Sequence, residues 1–139
     1  MKKKVLFISS TGGHLNELLQ LEPLFKKYEY YIITEKDKAN EKLKEKYGEK
    51  INFLPYGTRS KLFTYIFKYI YLCIKTIYYY FKIKPKIIIT TGTHTAGPMC
   101  YLGKIFGSKI IYIETFANIN KKTATGRLIY PIADLFIVQ

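Results

Sequence analysis

The sequence predicts an α/β protein: a Rossmann-like, doubly wound parallel sheet with helices on both faces, in one domain. Three observations carry that expectation. Six short apolar runs rich in β-branched residues alternate with segments of helical periodicity. Glycines, hydroxyls and both histidines gather just beyond those runs, at the carboxyl ends where such sheets bind ligands. The chain has 139 residues, the size of one domain with a proper core.

The first run, KVLFIS (Lys4 to Ser9), is nearly continuous in its apolar character, as a strand covered on both faces requires. The opening MKKKVLFIS is too short in its apolar part for a secretion signal and reads as that strand. Beyond it, Leu15, Leu18, Leu19, Leu21 and Leu24 recur at helical spacing, and Pro23 kinks or restarts the helix. YEYYIIT (Tyr28 to Thr34), INFLP (Ile51 to Pro55), KIIITT (Lys86 to Thr91), KIIYIE (Lys109 to Glu114) and DLFIVQ (Asp134 to Gln139) supply five more strands. Helices are expected at about 37–47, 61–82, 95–106 and 123–130. No repeat or low-complexity linker divides the chain, so residues 1–139 read as a single unit. The sequence stops at the end of a strand, which either further sequence or a partner is expected to cover.

Charge is distributed unevenly. The net charge is +13, and from Lys50 to Ile113 there are ten Lys/Arg and no Asp or Glu. EKDKANEKLKEKYGEK (Glu35 to Lys50) alternates signs instead and reads as a solvated helix or loop. The one-signed middle suits an anionic partner: nucleic acid, a phosphate-bearing substrate or an anionic membrane surface. Only two of the 23 basic residues are Arg, and no spacing of Arg with aromatics suggests a nucleic-acid groove. Nucleic acid is therefore not the expected partner.

KLFTYIFKYIYLCIKTIYYYFK decides between the others. Lys61, Lys68, Lys75 and Lys82 recur every seven residues, a spacing that drifts only about 20° per step on a helix and draws one narrow stripe. Most of the remaining circumference is apolar or tyrosine, including Tyr65, Phe67 and Tyr71. Such a helix lies in a core, spans a membrane or rests in its interface. Spanning would place Lys68 and Lys75 near the bilayer centre, at about 2.5–3.5 kcal/mol each. An interfacial helix keeps the lysines at the headgroups and the tyrosines at the boundary. The expected contact is monotopic. The bland alternative packs one face on the sheet and uses the tyrosines only as a shield.

The first strand ends in SSTGGH, the fourth in TTGTHTAGP (Thr90 to Pro98) and the fifth in ETFANINKKTATGRL (Glu114 to Leu128). A strand entering a helix through glycines brings backbone N–H groups and a dipole to one spot, although Gly-Gly serves a tight turn as readily. Neither GxGxxG nor GxxxxGK[ST] is present, so no dinucleotide or nucleotide-loop signature appears. Two histidines and one carboxylate carry no metal-ligand spacing, and no metal or cofactor is expected. Cys73 and Cys100 sit in apolar surroundings and read as buried thiols of a reducing compartment.

SSTGGHLNELLQL, TTGTHTAGPMCYLGKIFGSKIIYIETFANI and TGRLIYPIADLFIVQ, in that order, resemble the membrane-anchoring subunit of two-part UDP-sugar transferases. In eukaryotes that subunit helps add the second N-acetylglucosamine of dolichol-linked chitobiose. Its bacterial relatives serve capsule and exopolysaccharide assembly on an undecaprenyl-linked acceptor. The same arrangement is similar to the amino-terminal half of the single-chain N-acetylglucosaminyltransferase that makes lipid II, whose glycine-rich loop carries a histidine like His14.

The resemblance implies a glycosyltransferase of the two-domain GT-B type split into two polypeptides. This chain would be the acceptor-side half, peripheral on the cytoplasmic face of the membrane. A catalytic partner chain would hold most of the UDP-sugar site. His14 would take the acceptor hydroxyl proton, and Glu114 would orient the histidine or bind an acceptor hydroxyl. Thr11, Gly12, Gly13, Thr93, His94, Thr115, Thr125, Gly126 and Arg127 would line the substrate site, with Arg127 at a phosphate. The absence of Asp-x-Asp agrees with metal-independent transfer. Three alternatives remain at this point: a base on the partner chain, a docking scaffold with no part in catalysis, and a stand-alone small-molecule enzyme.

Overall fold

The computed structural model describes residues 2–56, 62–92, 94–115 and 123–138. All six expected strands form: β1 (Lys4–Ser9), β2 (Glu29–Glu35), β3 (Ile51–Leu54), β4 (Ile87–Gly92), β5 (Lys109–Ile113) and β6 (Leu135–Ile137). They pair in parallel in the order β3-β2-β1-β4-β5-β6. That is the doubly wound arrangement, with its reversal of strand order between β1 and β4.

Alternation along β1 shows why both faces are covered. Leu6 and Ile8 join Ile33, Leu54, Ile88, Ile110 and Tyr112 on one side, while Val5 and Phe7 join Ile32, Ile51 and Ile89 on the other. The second side is closed by α1 (Gly13–Leu19), α2 (Glu22–Phe25) and α3 (Leu43–Tyr47), through Leu15, Leu18, Phe25 and Tyr47. The first is closed by α4 (Leu62–Ile83), α5 (Gly97–Ile105) and α6 (Ala124–Ile129), through Leu72, Tyr80, Met99, Cys100 and Ile129.

One helix breaks where expected and one departs from expectation. The leucine-rich segment breaks in two, and Pro23 restarts it inside the first turn of α2, where a missing N–H costs nothing. The helix expected at 37–47 begins only at Leu43. Asp37 Oδ1 accepts the Ala39 N–H at 2.7 Å, and Asn40 Nδ2 donates to the Glu35 carbonyl at 3.1 Å. These local side-chain bonds hold a turn in competition with the helix.

The 22-residue α4 buries Leu72, Thr76, Tyr80 and Ile83 against the sheet. Its opposite side carries Phe63, Phe67, Ile70, Ile74 and Tyr78, exposed by 78%, 70%, 51%, 59% and 59%. The lysines occupy neither face. Lys68 and Lys75 lie on a flank and share grooves with Pro55, just beyond β3, so the stripe borders the apolar face. Lys75 Nζ sits 5.5 Å from the centre of the Tyr71 ring, and Lys82 Nζ sits 5.8 Å from that of Tyr78. Tyr65 is half-buried and turned inward, 6.5 Å from the His94 ring. Lys61 lies outside the described residues. Among the described residues, no helix is long and apolar enough to cross a membrane.

Burial raises two core protons. The Cys100 thiol and the Tyr112 phenol are each pushed up to about 12 by desolvation. An unfolded chain releases such protons near their ordinary values of about 8.5 and 10. The folded chain holds them longer, so stability is full below that range and declines as pH rises from about 9 toward 12. The melting temperature should be lower at pH 10.5 than at pH 8, and Tyr112→Phe should lose part of that difference.

Candidate functional site

The site is built where the strand order reverses. β1 lies between β2 and β4, and the β1–β4 register slips between Ile8 and Ser9, so that Ser9 faces Gly92. The two loops leaving these strands are tied together. Ser10 N–H donates to the Gly92 carbonyl at 2.8 Å, and the Ser10 hydroxyl donates to Thr95 Oγ1 at 3.0 Å.

His14 enters this crevice from the first turn of α1. Its Nδ1 lies 3.0 Å from the Thr91 carbonyl oxygen, and the Thr91 hydroxyl donates back to the His14 carbonyl at 2.6 Å. A carbonyl only accepts, so the bond requires a proton on Nδ1. In the neutral ring Nε2 then carries the free lone pair. That is the tautomer a general base needs.

Gly92 makes room for the ring. At φ +105, a methyl there would stand 3.1 Å from the Tyr112 hydroxyl and 3.5 Å from His14 Nδ1. The buried phenol remains protonated and lies 3.1 Å from Thr123 Oγ1. Glu17, one helical turn after His14, accepts from the Thr115 hydroxyl at 2.8 Å through Oε1. Its Oε2 is buried with no hydrogen-bond partner among the described residues.

Of the two roles expected of Glu114, orienting the His14 ring is not the one the structure shows. The carboxylate is 2% exposed and accepts the N–H groups of Thr115 at 3.2 Å and Thr123 at 3.1 Å. The Thr91 carbonyl, and not Glu114, holds the His14 ring. Two backbone donors stabilise the buried charge and fasten Thr123 beside the fifth strand. The Thr123 hydroxyl in turn caps α6 by accepting the Gly126 N–H at 2.9 Å. Gly126 is needed because a methyl there would meet Glu114 Oε2.

The other expected residues divide. Gly12, at φ +79, and Gly13 have nothing within 4 Å of where a side chain would start, which leaves the backbone open to a ligand. Thr115 joins the His14 side of the crevice through Glu17. Thr11 is held in the loop scaffold instead: its hydroxyl donates to Asp37 Oδ2 at 3.1 Å and accepts from Asn40 Nδ2 at 2.8 Å. His94 turns toward α4, in a groove with Tyr65 and Lys68. Thr125 is buried in α6 and Arg127 is exposed on it. Thr93 lies outside the described residues. Glu17, Gly92 and Tyr112 were not singled out by sequence. Only Glu17 gave a signal, its spacing of three from His14 on a helical pattern. Among the described residues no cluster of His, Cys, Asp or Glu is arranged to hold a metal.

Comparison with known proteins agrees with this architecture. A subunit of the UDP-N-acetylglucosamine transferase of Candida albicans, ALG14, is 28% identical, covering 99% of this chain and 74% of its own. The rat subunit of the same name is 24% identical, covering 97% and 74%. The UDP-N-acetylglucosamine--N-acetylmuramyl-(pentapeptide) pyrophosphoryl-undecaprenol N-acetylglucosamine transferase of Borreliella afzelii is 32% identical over 81% of this chain and 34% of its own.

Two solved structures share the fold. The Acinetobacter baumannii MurG structure matches with a TM-score of 0.74 at 15% identity, over 99% of this chain and 45% of that one. UDP-N-acetylglucosamine 2-epimerase from Rickettsia bellii gives 0.73 at 15% identity, over 99% and 39%. The chain thus spans less than half of either structure. The model of the family described as "Oligosaccharide biosynthesis protein Alg14 like" matches residues 5–139, and the chain belongs to that family.

Proposed function

We propose that this chain is the membrane-bound, acceptor-side subunit of a two-component UDP-sugar glycosyltransferase, one half of a split GT-B enzyme. The donor is UDP-N-acetylglucosamine, the sugar nucleotide in the names of its relatives. The acceptor is a saccharide on a polyprenyl diphosphate, in bacterial capsule or exopolysaccharide assembly. A partner chain holds most of the donor and closes the cleft from the other side. The observation that carries this reading is His14, held in its base tautomer by Thr91 at the point where strand order reverses.

The chemistry follows from that ring. The acceptor hydroxyl oxygen attacks the anomeric carbon of the donor and forms the new C–O bond. The bond from that carbon to the diphosphate breaks, and UDP leaves with the electron pair. His14 Nε2 takes the hydroxyl proton. Gly12 and Gly13 let phosphate oxygens approach the backbone, with Arg127 as a further phosphate contact. Glu17, Thr115 and Tyr112 sit on the acceptor side of the crevice. His94 belongs to the loop that carries the acceptor, and Thr125 and Gly126 shape the same rim. Lys68, Lys75 and Lys82 face headgroups on the cytoplasmic leaflet, with Phe67 and Tyr71 beside them. Transfer requires no metal and no cofactor from this chain.

Co-expression with a neighbouring transferase-like chain, assayed with UDP-N-acetylglucosamine and lipid-linked acceptors, tests the proposal. The assembled pair should transfer sugar while the isolated chain stays at background, because a single domain forms one wall of the cleft. Transfer by the isolated chain at the rate of the pair would make it a stand-alone enzyme.

A further inference from the structure

The end of the sheet opposite the crevice holds a second cavity. It measures about 230 Å³ and lies where α4 and α5 finish and β4 and β5 begin. Its floor is polar and already satisfied. The Tyr80 and Ser108 hydroxyls lie 2.9 Å apart, and Ser108 donates to the Pro85 carbonyl at 2.7 Å. One wall is aromatic: the Phe81 and Phe106 rings meet edge to face, 5.1 Å between centres. Both rings remain exposed, by 44% and 55%, and they continue the apolar side of α4 toward Ile105.

Lys84 and Lys86 complete the lining, both exposed and without a carboxylate partner among the described residues. No acid occurs in the sequence between Lys50 and Glu114. The acid beyond that stretch, Asp134, is engaged by Lys104 at 3.2 Å and Lys109 at 3.8 Å. Lys84 also takes φ +52, the only non-glycine residue at positive φ among those described. Its N–H donates to the Tyr80 carbonyl at 2.7 Å, which ends α4 and fixes the backbone carrying this cation at the cavity.

We infer that this cavity binds the headgroup of an anionic phospholipid, its phosphate between Lys84 and Lys86 and its first chain carbons against Phe81 and Phe106. The inference rests on the membrane reading of α4. Each part of the cavity contributes to the choice. Two unpaired ammonium groups call for an anion. Exposed aromatic rings beside them call for an apolar chain on the same molecule. The volume is below the roughly 300–1,000 Å³ that encloses a drug-sized ligand, so it takes a headgroup while the tails stay in the bilayer. A free sugar phosphate matches the cations and leaves the rings wet. A zwitterionic headgroup brings its own cation to the lysines.

The test uses the full chain and monomeric dihexanoyl-phosphatidylglycerol, followed by calorimetry below its micellar concentration. Saturable binding is expected, about 10- to 30-fold weaker in Lys84→Gln/Lys86→Gln. Lys104→Gln should bind as the parent does, and both variants should melt as the parent does because these lysines are exposed. Dihexanoyl-phosphatidylcholine and glycerol 3-phosphate should each bind at least about tenfold more weakly than the anionic lipid. Equal affinity of the parent and the double variant overturns the site. Equal affinity for glycerol 3-phosphate and the lipid makes it a free-phosphate site and overturns the lipid assignment. Sedimentation with phosphatidylglycerol vesicles separates the two readings. Normal sedimentation without saturable lipid binding overturns this inference alone. No sedimentation with any vesicle overturns the membrane reading on which it rests.

Discussion

His14→Ala should lower turnover per assembled complex by about 10²–10⁴-fold, the usual contribution of a general base. Among the described residues the ring makes one hydrogen bond, to the Thr91 carbonyl. The reciprocal bond from the Thr91 hydroxyl ends on the His14 backbone carbonyl and survives the substitution. Melting temperature and partner affinity should therefore change little. A structural histidine gives the opposite pattern, with stability and total activity falling together while each folded complex keeps near-normal turnover. Near-normal turnover in the variant would move the base to the partner chain. His94 is poorly placed as a substitute, since it faces Tyr65 and Lys68 under α4.

The second large effect is expected on α4. Ile70→Glu/Ile74→Glu should reduce partition onto acidic vesicles by about 10²–10⁴-fold. Each isoleucine contributes about 1.5–3 kcal/mol when buried in an apolar phase, and each new carboxylate is repelled by an anionic leaflet. Both positions are more than half exposed, so the fold should tolerate the change, and unaltered melting would confirm it. Lys68→Glu/Lys75→Glu should act more weakly, at about 1 kcal/mol for each lysine lost, and only on acidic vesicles. Lys75 is half-buried beside Tyr71, so that pair also needs a stability control. If neither pair changes sedimentation, α4 does not face a membrane.

Much of the fold was legible because its strands are short runs with little alternative. KVLFIS and KIIITT are apolar on both sides of the alternation, which only a sheet covered on two faces accommodates. Pro23 announced its own break. Residues 37–42 misled because charge alternation looks helical, while Asp37 and Asn40 bind the backbone locally.

The crevice was legible in place and less so in its parts. GGH and TTG mark the strand ends, yet which histidine enters depends on contacts across 77 residues. Tyr112 looks like any strand aromatic, and nothing in its neighbours announces that it converges with His14 around Gly92. Glu114 stood where a catalytic carboxylate was expected. Its two backbone donors come from Thr115 and from Thr123, and the second of these is brought back only by folding.

The bond between His14 and Thr91 has a bearing on precision. α1 has seven residues and no side-chain cap, and a helix that short is marginal by itself. Were the imidazole aimed by its helix alone, every fraying of that turn would scatter it. The ring is instead moored to a strand with a neighbour on each side, among the last backbone to open. The aim of the proton acceptor thus inherits the stiffness of the sheet, and a supple turn can admit substrate without losing it.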